Sequence, residues 1–120
     1  MEKNIQTLKD FIEKKYGIKV EDAPERIVKD YEVYNKSYIV GNNDIYIGKY
    51  DDEELKICSV LHELGHVLIT EKRMRELNLN RYKIERECWK IGINEGKNNG
   101  IYFSIKEYRF MISCLNTYKK

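Results

Sequence analysis

A chain of 120 residues has room for one hydrophobic core, and 42% hydrophobic with 35% charged residues and a single proline describe a globular sequence, not a disordered one. The charges nearly cancel, 22 Lys and Arg against 20 Asp and Glu for a net of +2, which argues against direct contact with nucleic acid. No apolar run approaches the roughly 18 residues of a membrane span, the first ten residues hold no signal-peptide core, and three cysteines (Cys58, Cys88, Cys114) at no framework spacing fit a reducing cytoplasm.

One domain over residues 1–120 is therefore expected. Residues 3–16 carry Ile5, Leu8, Phe11, Ile12 and Tyr16 at helical spacing, with Gly17 as a natural stop. Residues 18–36 are ambiguous. Ala23-Pro24 belongs at a helix start, and Tyr31–Tyr34 could form a strand. Two β-rich runs, Tyr38-Ile39-Val40 and Ile45-Tyr46-Ile47-Gly48, flank Gly41-Asn42-Asn43-Asp44 and read as a hairpin. Asp51-Asp52-Glu53-Glu54 reads as a capping-box variant opening a helix to about Thr70. Apolar residues cover almost the whole circumference of that helix, so it should be the most buried one. Residues 71–80 read as a polar loop, 81–96 as a further helix, and Ser104 with Glu107 as a capping box. The closing helix should turn Ile105, Tyr108, Met111, Ile112, Leu115 and Tyr118 to one face. The sum is an α+β fold, a small antiparallel sheet packed on a buried helix with further helices around it.

The chemistry sits in His62-Glu63-Leu64-Gly65-His66, which fits H-E-x-x-H inside the buried helix. Residues at i and i+4 stack one turn apart, so both imidazoles can reach one ion. Glu63, one residue round, lies where it can take a proton from a water on the metal. The chain has only two histidines, and finding them at this spacing around a glutamate is a chance event of order one in five hundred. A catalytic zinc needs a third protein ligand, and no histidine remains to supply it. Glu85 and Glu87 are the carboxylates offered by the next helix. They face roughly 200° apart, so only one can point at the metal. Glu85 shares the wheel with the apolar stripe Ile84, Cys88, Ile91 and is favoured, while Glu87 reads as exposed. Cys58, four residues before His62, sits too far along the axis to join both histidines and reads as core.

His62-Glu63-Leu64-Gly65-His66 followed 19 residues later by Glu85-Arg86-Glu87-Cys88 resembles the ImmA/IrrE family of small zinc metallopeptidases over about residues 38–92. Its members pair an H-E-x-x-H helix with a downstream E-x-x-[AC]-[ND] helix. The resemblance implies a zincin-like core in which His62, His66 and Glu85 hold Zn2+ and Glu63 is catalytic. Trp89 departs from the pattern, standing where the family usually carries an Asn or Asp that orients the ligands. The family is typically intracellular and often sits on phages and mobile elements. Several members act on helix-turn-helix repressors, so the resemblance implies a metallo-endopeptidase for an intracellular protein, such as a transcriptional repressor. The alternative is a zinc-containing binding module that engages a regulatory protein without cutting it. An extended substrate is expected to pair with a sheet edge, and Ile45–Gly48 is the expected edge.

Overall fold

Helix α1 (Ile5–Tyr16) buries Leu8 and Ile12 and ends where Gly17 adopts a φ of +68°, as the apolar spacing predicts. The structure is a computed structural model describing residues 5–31, 37–41, 44–50 and 52–119. The ambiguous stretch after α1 divides into strand β1 (Val20–Asp22) and helix α2 (Glu25–Tyr31), with Pro24 just ahead of the helix. Tyr31 closes α2, so it does not begin a strand; residues 32–34 lie outside the described residues.

Strands β2 (Ser37–Val40) and β3 (Asp44–Ile47) pair antiparallel, with Tyr38 opposite Tyr46 and Ile39 opposite Ile45. The expected hairpin is therefore present, although Asn42 and Asn43 of its turn lie outside the described residues. The sheet edge differs from the expected one. β1 pairs with β3 in parallel, giving the order β1-β3-β2, so β3 is the middle strand. Parallel pairing needs a crossover from an earlier segment, and a three-residue strand leaves too short a pattern to reveal one. A proline at Ile47 would thus break the centre of the sheet, not a contact at its rim. Ile45 and Ile47 face the core and Tyr46 the other side, where it stacks on Tyr38 with centroids 5.6 Å apart.

Helix α3 (Glu53–Leu68) lies across that Ile face and buries Ile57, Val60, Leu61 and Leu64 against it; Glu53 is its one exposed residue. Its cap is Asp52, which accepts from the amides of Glu54 at 2.8 Å and Leu55 at 3.2 Å. The expected pairing of Asp51 with Glu54 is displaced by one residue, and Asp51 itself lies outside the described residues. Thr70 ends the run by capping a short helix α4 (Glu71–Glu76), accepting from the Arg73 amide at 3.0 Å where the polar pattern suggests a loop. Helix α5 (Arg81–Lys97) follows, capped by Asn80. Its buried stripe is Glu85, Cys88, Trp89, Gly92 and Gly96, rotated from the predicted one, with Ile84 and Ile91 only half-buried.

Helices α3 and α5 cross at two glycines. A β-carbon on Gly65 would overlap the Cys88 carbonyl, and one on Gly92 would overlap that of Leu61. The two backbones therefore lie closer than side chains would allow. Helix α6 (Ile105–Asn116) opens with the predicted capping box, the Ser104 amide donating to Glu107 at 2.6 Å. Glu107 faces inward, on the side where Leu115, Cys114 and Phe110 pack, and Ile105 and Ile112 are exposed. No helix among the described residues is long and apolar enough to cross a membrane.

Candidate metal centre

The close crossing of α3 and α5 brings three side chains to one point. His62 and His66 project from α3 one turn apart, and Glu85 reaches them from α5. Glu85 Oε2 lies 2.8 Å from His62 Nε2 and 2.8 Å from His66 Nε2, and the two nitrogens are 3.1 Å apart. A triangle this small can be touched at all three corners by one ion with ligand bonds of about 2.0–2.2 Å. The donor set, two imidazoles and a carboxylate, suits a first-row transition metal. His62, His66 and Glu85 thus form a group that could bind a metal, and no other such group of His, Cys, Asp or Glu occurs among the described residues. Glu87 points elsewhere. It pairs with Arg73 of α4 at 3.2 Å, half-buried instead of exposed.

Electrostatics within the group follow from burial and contact. Burial alone would raise the Glu85 carboxyl, but hydrogen bonds from both histidines outweigh it and hold it far below the ordinary range. Arg81 adds a cation 3.5 Å from Oε1. Burial lowers His62 against the pull of Glu85, keeping that imidazole neutral. His66 is also lowered by burial, yet the Cys88 thiol and the Glu85 carboxylate outweigh this and lift it to about 10. Protons and a metal ion would therefore compete for the same three side chains.

Glu63 stands beside this group, its Oε1 3.8 Å from His62 Nδ1. Burial pushes its carboxyl up to about 7, with Glu85 adding to the rise and His66 opposing it. Glu63 and His62 open onto a cleft of about 410 Å³, roofed by Phe110, Cys114 and Tyr118 from the α6 region. Tyr50 closes one side, hydrogen-bonded to Ser59, which in turn donates to Ser37 at 2.8 Å. A larger cavity of about 540 Å³ lies beyond Tyr50, against Asp22, Lys29 and Lys56, but holds no convergent metal-ligating group among the described residues. His62 and Glu63 line the smaller cleft and not the larger one.

Several of these residues escape a reading of the sequence. Gly65 and Gly92 carry one signal, since a lone glycine inside a helical pattern marks a close backbone approach. Tyr50, Ser59 and Tyr118 carry none; only the fold makes them neighbours of His62. Cys58 is buried, packed with Trp89 and Leu115.

Residues 13–98 match the family model of the IrrE N-terminal-like domain, Peptidase_M78. The chain belongs to that family. Membership makes it a metallopeptidase, with a protein or peptide as substrate, in keeping with the ImmA/IrrE resemblance of its motifs. The match runs from the end of α1 through α5, so the roof contributed by α6 lies beyond it. Comparisons with curated proteins and with solved structures return no match.

Proposed function

We propose that residues 1–120 form one zincin-like domain, a zinc-dependent endopeptidase in which His62, His66 and Glu85 hold the metal and Glu63 is the catalytic base. The observation carrying this reading is the convergence of three ligand atoms with a raised carboxyl next to them. When bound, zinc supplies Lewis acidity to the scissile carbonyl and lowers the pKa of a water. The rest falls to the chain. A Glu63 carboxyl poised near 7 can accept the water's proton on one oxygen at neutral pH and pass it to the nitrogen of the departing amine. Trp89 and Phe110 give the cleft apolar walls that exclude bulk water and strengthen each polar contact inside. Ser37 opens β2 and also lines the cleft, so the outer edge of β2 is the strand on which an extended substrate would lie.

The substrate suggested by the resemblance is an intracellular regulatory protein such as a helix-turn-helix repressor, on a phage or mobile element. The free cysteines Cys58, Cys88 and Cys114 suit the reducing cytoplasm this requires. The competing reading, a zinc-containing module that binds such a partner without cutting it, fits less well. A structural zinc closes its fourth position with a protein atom, and no fourth His, Cys, Asp or Glu joins the group among the described residues. The test is metal dependence of cleavage. Candidate repressors and a peptide library, incubated with the protein, should yield fragments that vanish with a chelator and return when zinc is restored. Release of a repressor from its DNA with no fragments under any metal condition would favour the binding module.

A further inference from the structure

Trp89 is the chain's one tryptophan, and it is buried on α5. Its indole lies flat on the His62 imidazole, with ring centroids 4.3 Å apart and planes 6° from parallel. Phe103 and Phe110 meet the same indole edge-on, each with centroids 6.3 Å away and planes at 79°. Aromatic rings favour both arrangements, so the indole is fixed from three sides. A fixed indole limits what rests on it. Rotating the His62 ring about its Cβ–Cγ bond would drive an edge of the imidazole into the indole face. Stacking sets the plane of the ring, and within that plane Nε2 points at Glu85 Oε2, 2.8 Å away.

Metal-ligating histidines are ordinarily oriented by a hydrogen bond from their second ring nitrogen. At His62 the Glu63 carboxylate approaches Nδ1 only to 3.8 Å, outside hydrogen-bonding range. We propose that Trp89 is a positioning residue for His62, setting the plane of the imidazole by stacking, with Phe103 and Phe110 holding the indole in place. Trp89 thereby takes over an orienting role at the position where the resembling family usually carries Asn or Asp. Both phenylalanines lie beyond residues 13–98, so part of the device comes from outside the family match. The inference rests on the reading of His62 as a metal ligand.

The experiment measures zinc affinity by competition with a chromophoric chelator in wild type, Trp89→Phe and Trp89→Leu, alongside tryptophan emission of wild type during the zinc titration. Trp89→Phe keeps an aromatic face and should hold affinity within about threefold, whereas Trp89→Leu keeps apolar bulk alone and should lose about 10- to 100-fold. Wild-type emission should change up to one equivalent of zinc and then stay level. A folded Trp89→Leu that binds zinc as tightly as wild type, or bound zinc that leaves the emission unchanged, overturns the proposal. The emission arm needs no variant to fold. Wild type that takes up no zinc from the chelator would bring down the metal reading itself, a result distinct from either of these.

Discussion

Glu63→Gln is expected to keep the fold and the bound zinc while lowering peptide cleavage by about 10²- to 10⁴-fold, the usual worth of a positioned general base. Glutamine matches glutamate in size and still fills its place beside His62, so packing changes little. What it lacks is the ability to accept a proton. Among the described residues, no neighbouring group in the cleft can stand in. Burial holds the Tyr50 phenol up at about 12 and raises the Cys114 thiol, so both are protonated at neutral pH. His62 and His66 have their Nε2 atoms committed to the metal group. Initial rates on a cleaved peptide, set beside metal content and a thermal melt, check this. Cleavage within tenfold of wild type by a zinc-loaded Glu63→Gln would remove Glu63 from the role of base.

The second large effect is expected at Gly65. Gly65→Ala should destabilise the protein by about 3 kcal/mol or more, at the top of the range for overpacking, because the obstacle is a backbone carbonyl that has no rotamer to escape into. For a chain of this size that corresponds to a fall in Tm of about 10 °C or more. The change should also reach the metal group. Driving α5 away from α3 at Cys88 moves Glu85, one turn earlier on α5, away from the two imidazoles. Gly96→Ala provides the contrast, since its β-carbon would meet Leu61 Cδ1 at 3.0 Å, the free end of a flexible side chain, and the Ile101 carbonyl oxygen at 3.2 Å, a contact that a few tenths of an ångström relieves. It should melt much closer to wild type. A Gly65→Ala protein that melts within about 2 °C of wild type would mean that the helices do not cross as closely as described.

Much of the arrangement is legible in the order of the amino acids, and the reasons are physical. The i, i+4 histidines need only helical geometry to face one point, and an apolar circumference already identifies their helix as buried. Glu85 is favoured over Glu87 because the two face nearly opposite ways on a helix with one buried side. The buried stripe of α5 is nonetheless rotated from the apolar one. Gly92 and Gly96 contribute nothing to an apolar pattern, although they line the contact with α3 and its neighbours. A similar blindness hides β1, whose three residues are too few to show alternation and whose pairing with β3 is parallel and non-local. Without β1, β3 looks like an edge. On α6 the apolar pattern points to Ile105 and Ile112, but the helix buries the charged Glu107, which accepts from the Ser104 amide, and leaves both isoleucines outside.

The central claim is that one metal ion sits among His62, His66 and Glu85. Metal analysis of the purified protein beside its His62→Ala and Glu87→Ala variants tests it most directly. One equivalent of zinc is expected in wild type, little or none in His62→Ala, and an unchanged equivalent in Glu87→Ala, whose carboxylate is engaged by Arg73 instead. A wild-type protein that carries no metal after growth with zinc, or a His62→Ala variant that retains a full equivalent, would contradict it.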